Sequence, residues 1–171
     1  MNLSFLLAFA AVLTCATTAH SQSPTQSTAS PAHDEHAQMN ARGAKGMGFS
    51  QDATTHHFLL KPDGGVIQVE ASDPKDTASR DHIRMHLTHI SRAFSSGDFD
   101  IPMFVHDTVP PGVPEMKRLA PKIRYTFEQT PLGGRVVIHS DDPEALAAIH
   151  KFLRFQTNEH QTHDPTAVPA T

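Results

Sequence analysis

The chain has 171 residues, with 14 Lys or Arg, 18 Asp or Glu and a formal net charge of −4. This mild charge comes without a basic run or a strongly basic amphipathic stretch, which argues against nucleic-acid partners and against binding at a membrane surface. Thirteen histidines and a single cysteine are the unusual features of the composition.

The chain begins like a secretory signal peptide. Residues 1–13 contain a short apolar run, and Ala19-His20-Ser21 places small residues at positions −3 and −1 of a cleavage after Ser21. No later segment is apolar enough to span a bilayer. Residues 1–21 are therefore predicted to direct export of a soluble periplasmic or secreted protein. Lipidation of Cys15 is the less favoured alternative, because no small residue precedes it.

Composition divides the remainder into one domain and two flanking segments. Residues 22–46 are rich in Ser, Thr, Gln, Pro and Ala and lack apolar periodicity, which predicts a disordered linker. Residues 161–171 are likewise predicted to form a disordered tail. Residues 47–160 carry the aromatic and branched residues and are long enough for one small domain.

The predicted domain contains an internal repeat, with copies at about residues 54–97 and 123–160. Phe58, Pro62, Gly64-Gly65 and Asp73-Pro74 recur 69 positions later as Phe127, Pro131, Gly133-Gly134 and Asp142-Pro143. Each copy resembles a strand, a turn, a second strand and a helix, and the glycines are expected to supply positive φ angles. Two such ββα units predict an α+β fold, with one antiparallel sheet and both helices on one face.

Local patterns add detail to this fold. Asp73 and Asp142 each precede a proline and are expected to cap the two helices. The segment Phe99 to Asp107 between the copies is predicted to be a short strand or extended arm, followed by a stiff proline-rich loop at residues 109–114. The first predicted helix carries an amphipathic stripe of Ile83, Leu87, Ile90 and Phe94.

Three histidines lie together on the first predicted helix. His82, His86 and His89 fall at the margin of its apolar stripe. Structural packing is the favoured explanation, metal or haem ligation the second, and acid–base catalysis the third. The glutamate of a His-Glu-x-x-His zinc motif is missing, which argues against a zinc hydrolase.

The internal repeat indicates which histidines are expected to be partly buried. His86 occupies the position of Phe152 in the second copy, and His56 occupies the position of Tyr125. We therefore expect both imidazoles to be half-buried. Because side chains alternate along a strand, His56 should point toward the helices, as Phe58 does.

These residues define a candidate metal site. The predicted ligands are His56, His86 and His89, helped by Met103 or His106. Imidazole together with thioether in an oxidising compartment suits copper better than zinc. The chain has no cysteine after residue 21, so a metal site must use His, Met, Asp or Glu.

The sequence contains no other motif that indicates catalysis or phosphate binding. The glycine pairs belong to hairpins and do not form a phosphate cradle, and no Gly-x-Ser-x-Gly elbow is present. The leading hypothesis is an exported accessory protein that binds a small ligand or a transition-metal ion. A structural or protein-interaction module that uses the exposed sheet face is the alternative, and an enzyme of unknown type is the third.

Two segments carry a resemblance to known sequences. The block Thr54-Thr-His-His-Phe-Leu-Leu60 and the ending Pro143-Glu-Ala-Leu-Ala-Ala-Ile-His-Lys-Phe-Leu-Arg-Phe-Gln156 resemble a family of small exported bacterial proteins. The resemblance covers roughly residues 47 to 163. That family has no established activity, so the resemblance implies neither a catalytic residue nor a cofactor.

Overall fold

The structure is a computed structural model that describes residues 31–170. The predicted signal peptide, residues 22–30 of the predicted linker and Thr171 lie outside the described residues. The helices are α1 (Pro31–Met47), α2 (Thr77–Ser95), α3 (Asp100–His106), α4 (Val113–Arg118) and α5 (Pro143–Glu159). The strands are β1 (Thr54–Lys61), β2 (Gly64–Ala71), β3 (Arg124–Thr130) and β4 (Gly133–His139). Within residues 31–170, none of the helices has the length and apolar character needed to cross a membrane.

The four strands form one antiparallel sheet in the order β1-β2-β4-β3, which confirms the predicted α+β class. The hairpins meet through β2 and β4, where Ile67 pairs with Val136 and Val69 pairs with Gly134. Ile67 and Val136 also correspond to each other in the repeat, so this pairing is symmetric about them. The register is compatible with the repeat, and an origin by duplication stays a prediction.

Helices α2 and α5 pack on the same face of the sheet, but each covers the other hairpin. Helix α2 lies mainly against β3 and β4, and α5 lies against β1 and β2. Phe94 of α2 meets Phe152 of α5 edge to face, with ring centres 5.9 Å apart. Neither hairpin is therefore buried by its own helix, and the two units share one core.

Side-chain caps fix where these two helices begin. Asp142 Oδ1 accepts hydrogen bonds from the N–H groups of Glu144 and Ala145, both at 3.0 Å, which confirms its predicted role as a cap. The prediction for Asp73 is wrong, because α2 is capped by Asp76, which accepts from the Ser79 N–H at 2.9 Å. The first copy contains three more residues than the second before its helix. Its cap is therefore Asp76, three positions after Asp73.

The hairpin glycines have different roles. Gly64 has a φ of 147°, and a Cβ atom there would lie 2.0 Å from the Ile138 carbonyl oxygen. Gly134 has no positive φ, and a Cβ atom there would lie 2.6 Å from the ring of Phe127. The expectation that all four glycines supply positive φ angles is therefore wrong, because close packing also requires glycine.

The segment after α2 differs from its prediction. Residues 100–106 form α3, so the predicted strand or extended arm is wrong. Alternating apolar residues fit a strand there, but Ile101 and Val105 are also four positions apart and lie on one side of a helix. Pro102 falls in the first turn, where its missing N–H breaks no helical hydrogen bond.

The disorder predicted on both flanks of the domain stays a prediction, and the structure places part of each flank against the domain. Residues 31–46 belong to α1, in which Arg42 Nε donates a hydrogen bond to the Val105 carbonyl oxygen at 2.8 Å. Residues 161–170 contain no helix or strand, but Asp164 accepts a hydrogen bond from the Phe58 N–H at 2.8 Å. Both segments are polar, so their placement depends on these contacts with the domain.

Candidate functional site

A small cavity lies between the sheet and the helices that cover it. Its volume is about 70 Å³, and residues of β1, β2, α2, α3 and α5 and the last residue of α1 line it. Most of the wall is apolar. The polar exceptions include four histidines, which we call the imidazole cluster: His56, His86, His106 and His160.

Strand β1 directs His56 into the cavity. Alternation places its side chain on the side of Phe58 and Leu60, which are 4% and 3% exposed, and this confirms the predicted direction. Burial, followed by the charge of His57, lowers the pKa of His56 to about 4, so the ring is neutral at pH 7. Among the described residues, His56 Nε2 has no hydrogen-bond partner.

Sequence reasoning missed His160, the residue that follows α5. Its ring stacks on His56, with centres 5.7 Å apart and 6° between the planes. Its Nδ1 lies 3.2 Å from Gln51 Oε1. Burial, followed by the charges of His56, His106 and His36, lowers the pKa of His160 to about 2.

The periodicity of α5 contains a signal that identifies His160. Ile149, Phe152 and Gln156 are buried and lie at i, i+3 and i+7 of one helix face. His160 is the next member of this series at i+11. An apolar stripe extended by one position past the expected helix end would have included it.

Helix α3 contributes His106, whose side chain is 1% exposed. Its Nε2 lies 3.0 Å from Gln156 Oε1, and its ring is 5.1 Å from that of His160 at an angle of 83°. Burial lowers the pKa of His106, although Gln156 and Glu159 oppose this shift in part. Within the described part of the chain, His106 Nδ1 has no hydrogen-bond partner. The Glu159 carboxylate lies beyond hydrogen-bonding distance, at 3.9 Å.

Only part of the predicted histidine stripe reaches the cavity. His86 lines it, and burial, followed by the charges of His89 and His56, lowers the pKa of His86 to about 4. His89 is exposed on α2 and does not line the cavity. Met103 is half-buried on α3 and also lies outside the lining. The cavity thus brings together His56, His86 and His106 of the five predicted ligands.

Two side-chain amides determine which imidazole nitrogens carry hydrogen. The oxygens Gln156 Oε1 and Gln51 Oε1 can only accept, so His106 Nε2–H and His160 Nδ1–H donate to them. The opposite nitrogens, His106 Nδ1 and His160 Nε2, then carry lone pairs. The cluster therefore contains neutral imidazoles, and the free nitrogens of His106 and His160 can accept a hydrogen bond or bind a metal ion.

The ring spacing suits a shared metal ion. Zinc–imidazole bonds of about 2.0–2.1 Å place the ring centres of two ligands on one tetrahedral ion about 5 Å apart. The ring centre of His160 is 5.1 Å from that of His106 and 5.7 Å from that of His56. Among residues 31–170, however, no group of three or more His, Cys, Asp or Glu side chains is placed so that it could hold a metal ion. Binding would require the rings to rotate toward a common point.

A histidine–carboxylate pair lies on the outer side of β1. His57 Nδ1 donates to Asp164 Oδ1 at 2.9 Å, and Thr162 Oγ1 donates to Asp164 Oδ2 at 2.6 Å. Partial burial raises the pKa of Asp164, but hydrogen bonds from Thr162, Phe58 and His57 outweigh it and lower the pKa overall. This pair anchors the tail to the edge strand.

The cavity and its histidines are the structural features that bear on function. Comparison with protein-family profiles, with characterised proteins and with solved structures found no match to this chain.

Proposed function

We propose that this chain is an exported accessory protein that binds one transition-metal ion, copper in preference to zinc, through the imidazole cluster. His56, His106 and His160 are the proposed ligands. The supporting observation is that two buried ring nitrogens, His56 Nε2 and His106 Nδ1, have no hydrogen-bond partner among the described residues. A buried acceptor left unpaired costs about 1–3 kcal/mol, which a bound metal ion would recover.

The hydrogen bonds on the opposite side of the rings support the same proposal. Metal-binding histidines usually donate their second ring N–H to an oxygen acceptor, which fixes the tautomer and the ring orientation. Gln156 and Gln51 provide such acceptors for His106 and His160.

Copper is favoured by the donors around the cavity. Met47, the last residue of α1, lines the cavity and brings a thioether close to the imidazoles. Copper accepts imidazole and thioether donors together, whereas zinc sites in proteins use imidazole, thiolate and carboxylate. The signal peptide predicted from the sequence would deliver the chain to an oxidising compartment, where copper(II) is stable.

The size of the cavity favours an ion over an organic ligand. Its volume of about 70 Å³ is far below the roughly 300–1,000 Å³ of pockets that hold drug-sized molecules. A single ion with one or two coordinated waters is compatible with that volume.

A structural role for the cluster is the second candidate. The cavity wall is mainly apolar, and His160 stacks on His56 and lies against Phe58. The corresponding positions of the second copy hold Tyr125 and Phe152 as packing residues. In that case the imidazoles serve as aromatic rings, and the protein interacts through its surface.

Metal retention distinguishes the two candidates. Residues 22–171, purified without a polyhistidine tag, are loaded with copper(II) or zinc, passed over a chelating resin and measured for metal per chain. We expect one retained ion in the wild type and none in the double variant His56→Phe with His106→Leu. His82→Ala, at an exposed position of α2, is the matched control and should retain the ion. Absence of retention by the wild type would contradict the proposal.

A further inference from the structure

Helix α1 brings a fifth histidine to the imidazole cluster. His36 lines one groove together with His106 and Glu159. It also lines a second groove together with His56 and His160. His36 therefore borders both grooves that adjoin the imidazole cluster, although it does not line the cavity itself.

Helix α1 is weak as an isolated helix. It contains Gly43 and Gly46, and an interior glycine costs about 1 kcal/mol relative to alanine. A helix of this length is marginal in water unless tertiary contacts hold it. Its order therefore depends on what attaches it to the domain.

Helix α1 is attached to the domain mainly through α3. Met39 is 4% exposed and Arg42 bonds to the Val105 carbonyl oxygen, but Asn40 Oδ1 is buried without a partner among the described residues. An unpaired buried oxygen opposes docking, since it loses its hydrogen bond to water. A ligand that joins α1 to the domain would shift the balance toward the docked state.

We propose that His36 is the fourth ligand of the metal ion, so that metal binding fastens α1 over the imidazole cluster. This inference rests on the proposed function. Three ligands come from β1, α3 and the end of α5, and His36 completes the four that a zinc or copper(II) ion accepts. The bound ion would then order a segment whose composition favours disorder, and the state of α1 would report whether the protein is loaded.

Coupling of this kind has a thermodynamic consequence. If the ion binds the docked form of α1 more tightly than the undocked form, it must stabilise the docked form by the same factor. Removing the His36 imidazole should therefore weaken metal binding and also make α1 insensitive to metal. The other three ligands still bind the ion in that variant.

The test is amide hydrogen exchange of residues 31–47, measured by mass spectrometry on residues 22–171 with and without copper(II) or zinc, together with metal titrations. In the wild type, metal should slow the exchange of α1 at least tenfold. In His36→Ala, metal should leave the exchange of α1 unchanged, and the dissociation constant for the metal should rise by about tenfold or more. Removing only the hydrogen-bond partner of a metal ligand already lowers metal affinity about 10–100-fold, so removing a ligand should have at least a comparable effect.

Alanine is a suitable replacement for His36 because it removes the imidazole without weakening the helix. It has a higher helix propensity than histidine, so a loss of metal-dependent protection cannot come from a weaker helix. His82→Ala removes an exposed histidine from α2 and should behave like the wild type. Retention of metal by the wild type, with unchanged exchange in α1 and equal affinity in His36→Ala, would overturn this inference alone. A wild type that retains no metal would overturn the proposed function, and this inference with it.

Discussion

The two sides of the core use the same scaffold with different side chains. Beside β3, the core is closed by aromatic rings: Phe94 stacks on Phe99 at 4.3 Å and meets Tyr125 edge to face at 5.7 Å. Beside β1, the corresponding space contains the imidazole cluster and the cavity. His56 places an imidazole at the position that corresponds to Tyr125 in the sequence repeat, and each ring leaves a buried polar atom without a partner among the described residues. The two sides differ in that the rings beside β3 are mainly phenyl rings, whereas several rings beside β1 are imidazoles.

The largest expected effect comes from the aromatic rings of the core, among which Phe152 also lines the cavity. Phe152→Ala should lower the free energy of unfolding by about 3–5 kcal/mol, because it removes a large buried ring that contacts Phe94 and Phe99. His86→Ala, at the corresponding position beside the cavity, should cost less than half as much. Equilibrium urea unfolding of both variants measures this difference, and equal losses would mean that the two corresponding positions contribute equally to the core.

Acid should destabilise the open side. Below pH 6.5 the unfolded chain protonates its histidines, whereas folded His56 and His86 stay neutral down to about pH 4. Their contribution to stability is therefore present at neutral pH and is lost as the pH falls from about 6.5 to 4. Urea midpoints at pH 7.5, 6.0 and 5.0 should decrease in that order. The double variant His56→Phe with His86→Phe should flatten this dependence, and an unchanged slope would contradict the assignment.

The amide contact to His106 should matter for metal binding more than for folding. Gln156→Met keeps the volume and removes the acceptor of His106 Nε2–H, so we expect metal affinity to fall about 10–100-fold. Competition with a chromophoric chelator measures the dissociation constant. Gln129→Met, at an exposed position of β3, controls for the added thioether. Wild-type affinity in Gln156→Met would show that tautomer control at His106 has no part in binding.

The smallest expected effect is a gain of stability on the open side. His56→Phe makes this position similar to Tyr125 of the other copy and removes a buried nitrogen without a partner among the described residues. The variant should be about 1 kcal/mol more stable than the wild type, because an unpaired buried polar atom is replaced by carbon. Thermal unfolding at pH 7.5 without metal tests this expectation. A loss of stability would indicate that His56 makes a favourable polar contact in the folded protein.

The sequence predicted those elements whose signals are local. Each of these signals lies within one short segment, so residue pattern and intrinsic propensity were sufficient to predict the element. The signals are the proline and two glycines of each hairpin, the amphipathic stripe on α2 and the aspartate before α5. Strand alternation was also sufficient to direct His56 inward. The same local patterns failed at Phe99 to Asp107, where the apolar spacing fits both a strand and a helix.

The amino-acid sequence by itself determined the α+β class, the two hairpins, the helices that follow them and the inward direction of His56. Only the tertiary structure decided that each of these helices lies mainly against the other hairpin, that residues 31–46 belong to α1, and that the ring of His160 lies against those of His56 and His106. Those features depend on contacts between residues far apart in the chain, such as His160 with Gln51 and His106 with Gln156. Such contacts leave no periodic pattern in the sequence, because they join segments that are far apart in the chain and form only when the core assembles. They could therefore not be predicted from local sequence.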